Sequence, residues 1–353
     1  MRKIATPEDL AQAFAEYEPL LKLRLDSAGL GKEKRELLVC CGPGCHPPRG
    51  NKLLANLQAE IKAAGLDNAA QAHKTGCFGF CAQGPIVKVF PDNVFYVRVM
   101  PDDANEMVKT HLKGDVLAER HLYEEPAMPG SHISRQHEIG FYKKQLRIAL
   151  RNCGLIDPQR LDEYIAAKGY QALAKCLTTL TPAETAAQVL ESGLRGRGGG
   201  GFPAGRKWQL AAAQVSDKKY MVCNADEGDP GAFMDRSILE GDPHSVLEGM
   251  AIAAYSFGAD QGYIYIRAEY PLAIEALSIA IKQARECGLL GKNILGTGFS
   301  FDVEIMYGAG AFVCGEETAL MQSIEGGRGE PVTRPPFPAE KGLYGKPTII
   351  NNV

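Results

Sequence analysis

The chain of 353 residues has no run of 18 uncharged apolar residues, which excludes a membrane-spanning helix of ordinary length and direct membrane insertion by that route. Its start, MRKIATPEDLAQAF, lacks the apolar core and small-residue cleavage site of a secretory signal. The expected location is the cytoplasm, free or peripheral to a membrane complex. A basic excess is also missing. Lys and Arg number 39 against 42 Asp and Glu, a net charge of −3, so no nucleic-acid footprint is present. After position 137 the only histidine is His244, and no nucleophile–histidine–carboxylate set can be assembled. Chemistry by side chains alone is therefore poorly supported, whereas chemistry carried by bound cofactors needs no such groups.

Apolar residues make up 45% and charged residues 23%, as in a soluble globular protein, and the length suggests two or three domains. Ten cysteines require an account, because a reducing cytoplasm disfavours disulfides. Cys153, Cys176, Cys223, Cys287 and Cys314 are scattered singly and read as small buried hydrophobes. Cys40, Cys41, Cys45, Cys77 and Cys81 crowd into 42 residues. Four of them form two pairs, Cys40/Cys45 and Cys77/Cys81, in loops where Gly42, Gly44, Gly76 and Gly79 permit tight turns. Four thiolates on short loops suit a [2Fe–2S] cluster. A structural zinc site or a redox pair usually has a two-residue gap, which neither pair has. Cys41 points away from Cys40 if the segment is extended. His46 is an alternative ligand or a hydrogen-bonding neighbour.

The pattern along the chain indicates an α/β protein. Residues 1–35 read as a helical segment broken near Pro19. Residues 36–113 run strand (36–39), helix (50–64), strand (86–90), strand (94–99), helix (102–113), a compact domain. Residues 114–137, rich in Pro, Gly, Ser and His, read as a linker, and 138–194 as a mostly helical region. Thr181-Pro182-Ala183-Glu184 is a helix-start signature: cap, first-turn proline and capping box. From 195 to 353, strands at 220–223 and 262–266 alternate with helices at 243–257 and 271–287, the mark of a second α/β domain.

SGLRGRGGGGFPAGRKW (192–208) contains Gly196-x-Gly198-x-x-Gly201, but a helix rather than a strand precedes it, so the dinucleotide fingerprint is rejected. Consecutive glycine amides ringed by Arg195, Arg197, Arg206 and Lys207 instead make a concave anion site suited to phosphate. NADEGDPGAFMDR (224–236) places Asn224, Asp226, Glu227 and Asp229 beyond a strand end, where α/β sheets bind ligands. YGAGAFVCGEETAL (307–320) puts Gly315, Glu316 and Glu317 at a helix start. TRPPFPAEKGL (333–343) adds Arg334 and Phe337, the latter either stacking on a flat cofactor or simply packing.

From Phe141 to Val353 these motifs, ending in PPFPAEKGLYGKPTIINNV, resemble the NADH-binding flavoprotein subunit of respiratory complex I and its relatives in NAD-linked hydrogenases and formate dehydrogenases. CCGPGC and CFGFC resemble the thioredoxin-like [2Fe–2S] domain of the smaller complex I partner. The resemblance implies a thioredoxin-like domain whose Cys40, Cys45, Cys77 and Cys81 hold a [2Fe–2S] cluster, followed by a Rossmann-like FMN- and NADH-binding domain. FMN would be held by Gly196, Arg197, Gly198, Gly199, Lys207, Asn224, Asp226, Glu227, Gly315, Glu316, Glu317, Asn351 and Asn352. NADH would face Phe202, Asp229, Glu317, Arg334 and Phe337, with hydride passing to flavin N5 and electrons leaving singly to iron–sulfur partner subunits. Asp229 stands where complex I relatives usually have Glu, Arg334 where they often have Lys, and Phe312 where Tyr is common, leaving NAD against NADP open. The family ordinarily continues into a four-cysteine segment for a [4Fe–4S] cluster, expected beyond Val353. A non-catalytic electron-relay or assembly module and a zinc-stabilised nucleotide scaffold are the competing readings.

Overall fold

In a computed structural model of the chain, the described residues are 2–25, 31, 33–45, 47–229, 231–308 and 310–353. They form two compact units. One comprises Tyr17–Ala167 with Glu240–Asp242; the other comprises Met1–Glu16, Lys168–Leu239 and Pro243–Val353.

The first unit carries the cysteine pairs. Its sheet has the order β2-β1-β3-β4, with β1 Arg35–Cys40, β2 Ala70–Thr75, β3 Val87–Phe90 and β4 Val94–Tyr96. β1 and β2 are parallel, joined through the helix Pro47–Ala63, whereas β3 and β4 are antiparallel additions. This is the thioredoxin-like arrangement. Strand periodicity sorts β1 between two cores. Leu37 and Val39 pack with Leu53, Leu57 and Ile61 of the helix, while Cys40 lies with Phe78 and Phe95 on the other face. The hairpin turn at Pro91–Asn93 falls where the sequence places it, with Asn93 at φ 55°.

The expected linker, 114–137, is not a free connector. Ala118 and Leu122 belong to the first core, and Tyr123 to the second. Tyr96 bridges to Leu122 and Tyr123 to Ile133. The segment covers the edge of β4, which would otherwise present unpaired backbone groups. Its prolines and glycines obscured those few apolar anchors. The 138–194 region is also less helical than expected. It holds Gly140–Lys143, Leu161–Ala166, Gln171–Thr179 and Pro182–Glu191, but 144–160 is turns and coil. Only its later part, from Lys168, belongs to the second unit.

A buried ion cluster explains why the earlier part stays with the cysteines. The Arg24 side chain is 1% exposed and lies 2.5 Å from both Glu163 and Glu36, with Glu163 fully buried. Arg24 also donates to the Leu155 carbonyl at 2.8 Å. Pro19 falls in the turn Glu18–Leu21 that ends the helix Pro7–Tyr17; positions 26–30 of the expected helical segment lie outside the described residues.

The second unit is built on a parallel sheet ordered β7-β6-β5-β8, with β5 Tyr220–Ala225, β6 Gln261–Arg267, β7 Asp302–Gly308 and β8 Thr348–Asn352. The chain steps outward from β5 to β6 to β7, then returns to the far side of β5 as β8. The strand order therefore reverses between β5 and β8, and a crevice opens beyond their carboxyl ends. Helices Pro243–Phe257 and Pro271–Cys287 have the limits read from sequence. Thr181 caps Pro182–Glu191 through a reciprocal box with Glu184. β7 escaped the sequence reading because, at the sheet edge, its Asp302 and Glu304 face outward and break up the apolar run.

His244 is enclosed in this unit, with Tyr170 Oη 2.9 Å from Nδ1 and Gln283 Oε1 3.1 Å from Nε2. Burial pushes its pKa down to about 4. Between pH 6.5 and 4 the unfolded chain binds a proton that the folded imidazole refuses, so stability is present above 6.5 and falls as pH drops toward 4. His244→Gln should flatten that acid limb in denaturant melts across this window. Glu163→Ala, which leaves Arg24 buried without its main partner, should cost about 3–5 kcal/mol in the same measurement at neutral pH.

Candidate functional site

The glycine loop lies between Pro182–Glu191 and the helix Ala204–Ala212, confirming that no strand precedes it. Gly196 N–H donates to Phe202 O and Ala204 N–H to Leu194 O, each at 2.9 Å, and these bonds pin the two ends of the loop. Between them, Gly199 (φ 95°) and Gly201 (φ 60°) adopt the left-handed backbone that glycine permits. A Cβ on Gly199, Gly200 or Gly201 would meet no atom within 4 Å. Residues 198–200 are exposed and Gly201 is half-buried, so this stretch of backbone is open. It faces a cavity of about 590 Å³ at the β5/β8 crevice, lined among others by Gly196, Gly198, Phe202, Lys207, Asn224, Gly315, Glu316, Glu317, Arg334, Phe337, Asn351 and Asn352.

Each wall is held by a specific bond. Lys207 Nζ donates to Ile350 O at 2.6 Å and lies 3.7 Å from Glu317. Burial pushes its ammonium pKa down and Glu317 opposes this. Trp208 Nε1 donates to Asn351 Oδ1 at 3.1 Å, and the Arg197 amide donates to Asn352 Oδ1 at 3.2 Å. The two asparagines ending β8 are thereby oriented by the loop and its helix. Asn224, at the end of β5, donates to Gly315 O at 2.8 Å.

Glu316 caps the helix Glu317–Ile324, accepting from Thr318 N–H at 2.9 Å and Ala319 N–H at 3.0 Å. Burial raises its pKa, but those hydrogen bonds and Arg334 hold the carboxyl below its ordinary value. Arg334 bonds Glu317 and lies 3.7 Å from Glu316. The rings of Phe202 and Phe337 are each about half exposed, at 51% and 54%.

Asp226 is the most telling residue. It is 9% exposed, yet neither carboxylate oxygen makes a hydrogen bond. Oδ2 lies 3.3 Å from where a Cβ on Gly315 would sit, directly behind the cavity wall. Burial raises the carboxyl pKa and Arg267 opposes it. Glu227, its neighbour, is committed elsewhere: it accepts from the amides of Met234 (2.6 Å), Asp235 and Arg236 (3.2 Å each) at the start of Met234–Gly241. Of the residues expected at the site, Arg197, Gly199, Asp226, Glu227 and the exposed Asp229 do not themselves line the cavity. Sequence reasoning passed over Leu210, Pro338, Ala339 and Ile350, which do. Leu210 follows Lys207 by three helical positions, a spacing that shares a face and could have pointed to it.

In the other unit the four cysteines come together. Cys40 and Cys45 sulfurs lie 3.3 Å apart, and those of Cys77 and Cys81 3.5 Å apart. The pairs face each other closely enough that a Cβ on Gly44 would come within 2.4 Å of Cys81 Sγ, one on Gly84 within 2.5 Å of Cys45 Sγ, and one on Gly42 within 2.8 Å of Cys77 Cβ. Hydrogen bonds with Cys45 and Cys77, which favour the neutral thiol, and then burial push the Cys40 thiol up, with repulsion between neighbouring anions adding to them. Gly79 N–H points at Cys77 Sγ at 3.3 Å. Cys41 packs instead with the opposite core, and burial pushes its thiol up to about 12. It stands apart from the pairs, as strand alternation predicts. His46 lies outside the described residues.

These features define a class: a doubly wound α/β unit with an open glycine loop over a cavity at its switch point, on one chain with a thioredoxin-like unit that gathers four thiols. More particularly, residues 189–353 match the model of the Nuo51 FMN-binding domain family. The NADP-reducing hydrogenase subunit HndC of Solidesulfovibrio fructosivorans is 67% identical over 211 residues, covering 60% of this chain and 43% of that protein. A subunit of the NADH-quinone oxidoreductase of Rhizobium meliloti is 52% identical over 206 residues, covering 58% and 49%. The NAD-reducing hydrogenase HoxS subunit alpha of Cupriavidus necator is 37% identical over 290 residues, covering 79% and 44%. The chain spans less than half the length of these relatives. A solved thioredoxin-like [2Fe–2S] ferredoxin from Aquifex aeolicus aligns with 26% of this chain and 99% of its own at 29% identity and a TM-score of 0.25.

Removing the Glu316 cap tests how firmly the acidic wall is held. Glu316→Ala should lower stability by about 1 kcal/mol, read from the shift in urea midpoint at unchanged m.

Proposed function

We propose that the chain is the FMN- and NAD(P)H-binding part of a multi-subunit oxidoreductase, with its own [2Fe–2S] unit. The observation that carries this reading is the open glycine loop facing a cavity backed by a buried carboxylate with unused acceptor oxygens.

FMN fits these residues. The amides from Gly198 to Gly201, with the side chains of Arg197 and Lys207, would hold its phosphate. Asp226 would accept hydrogen bonds from the hydroxyls of its sugar-alcohol chain, relieving oxygens that are otherwise desolvated without partners. Asn224, Gly315, Glu316, Asn351 and Asn352 would frame its ring. Glu227 would act only by fixing the turn that carries Asp226. When bound, FMN supplies hydride acceptance from a reduced nicotinamide and release of electrons one at a time.

The exposed rings of Phe202 and Phe337 offer stacking faces for the nucleotide. Arg334 supplies positive charge for a pyrophosphate, with Glu317 as its counter-ion until the nucleotide arrives. Asp229 completes the nucleotide-facing set. The four cysteines fit a [2Fe–2S] cluster: two thiol pairs, already adjacent, with glycines wherever a side chain would collide with a sulfur or its β-carbon. Such a cluster would store one electron and would pass electrons on to iron–sulfur partner subunits of the larger complex. NADH and NADPH share every contact named here except at the adenosine ribose, and relatives of both kinds are known by name.

The test is FMN binding by the intact chain and by Asp226→Ala, followed by flavin fluorescence quenching. Losing a charged acceptor should weaken FMN binding roughly 10- to 100-fold, from about 1.5–3 kcal/mol. The same substitution should leave the flavin-free protein no less stable, or more so, because an unpartnered buried carboxylate is removed. Soluble folded protein that takes up no FMN, or an Asp226→Ala variant that binds it as tightly, would defeat the reading. Iron and zinc analysis separates the cluster from a zinc scaffold, and NADH–ferricyanide activity separates an enzyme from a passive relay.

A further inference from the structure

The segment from Ile139 to Ile156 wraps the loop that carries Cys77. Tyr142 Oη donates to Phe78 O at 2.9 Å, and Arg147 Nη2 to Cys77 O at 3.3 Å. Gly154 N–H donates to Thr75 Oγ1 at 2.9 Å, and Thr75 in turn to Ile156 O at 2.8 Å. A Cβ on Gly76 would meet Cys153 Sγ at 2.9 Å.

Within that segment the polarity is inverted. Leu146 and Ile148 are 85% and 67% exposed, whereas Arg147 between them turns inward onto the carbonyl of a cysteine. A charged side chain placed inside two exposed apolar ones runs against burial, so its field is the feature to explain. The guanidinium is held 3.3 Å from the carbonyl of Cys77, whose sulfur lies 3.5 Å from that of Cys81.

We infer that Arg147 is a positioning residue that raises the reduction potential of the centre held by Cys40, Cys45, Cys77 and Cys81. This rests on reading that centre as a [2Fe–2S] cluster. Reduction adds one electron to the cluster and no bond is made or broken. The added negative charge would be stabilised by the part-buried guanidinium held beside the Cys77 loop. Arg147 donates to the Cys77 carbonyl and not to a sulfur, so it acts through charge and by holding the ligand loop. The direct donor to sulfur is the Gly79 amide on the same loop.

The experiment is an EPR-monitored redox titration of the cluster-loaded full chain, native and with Arg147→Gln or Arg147→Lys, alongside iron content. Arg147→Gln should keep its iron and titrate at a more negative potential, while Arg147→Lys stays near the native value. An Arg147→Gln protein with full iron and an unchanged potential overturns the inference. So does one that loses its cluster while Arg147→Lys keeps both cluster and potential, since the role is then structural. Native protein that binds no iron under reconstitution overturns the cluster reading itself, a result distinct from either.

Discussion

The reversal of strand order between β5 and β8 is the constraint on which the second unit's chemistry depends. β5 leads on to β6 on one side while β8 pairs on its other side, so the crossover that leaves β5 does not roof the carboxyl ends between β5 and β8. The resulting crevice collects whatever the strands end in. Here these are Asn224 on β5 and Asn351 and Asn352 on β8, groups short enough to leave room and polar enough to be oriented. The glycine loop then needs only to lie across the opening. It is tied there by the Arg197 amide to Asn352 and by Trp208 to Asn351.

The thioredoxin-like unit solves a different problem. Bringing four thiols together under apolar cover is unfavourable for their anions, so the apo arrangement must be imposed by backbone. Strand β1 delivers Cys40 to one face, and bare glycines at 42, 44 and 84 allow the loops to close around the sulfurs. The polypeptide stores the geometry, and a cation must supply the charge balance. This is why the spacing of the pairs was informative. Ligand chemistry needs the residues at fixed separations, and those separations survive in the linear order.

Legibility followed the same logic elsewhere. The helices Pro243–Phe257 and Pro271–Cys287 could be delimited because each starts at a proline and carries a continuous apolar stripe. The Thr181 box could be read because its partners are three residues apart. What could not be read depended on partners distant in sequence. Nothing local marks 114–137 as the cover of β4, and Arg24 meets Glu163 across 139 positions. In the candidate site the glycines, Lys207 and the terminal asparagines were visible as motifs. The lining by Ile350 and Ala339 was not, because backbone carbonyls and small side chains carry no signature.

Asp226 and Glu227 show where sequence reasoning reaches its limit and structure decides. Both are acidic, adjacent, buried and at the end of a strand, so no pattern distinguishes them. The turn after β5 sends one toward Gly315 and the cavity and the other back to the first amides of Met234–Gly241. Glu227 is held by three amides and stabilises the helix start, as a negative charge there should. Asp226 is unsatisfied and costs the flavin-free fold free energy. Its two unpartnered oxygens are free to accept from a guest outside the chain, which is the role proposed for them. The glycine loop makes the same point with opposite chemistry, since its uncovered donors await acceptors. Donors on one wall and bare acceptors behind the other describe a guest that is anionic at one end and hydroxylated along its length.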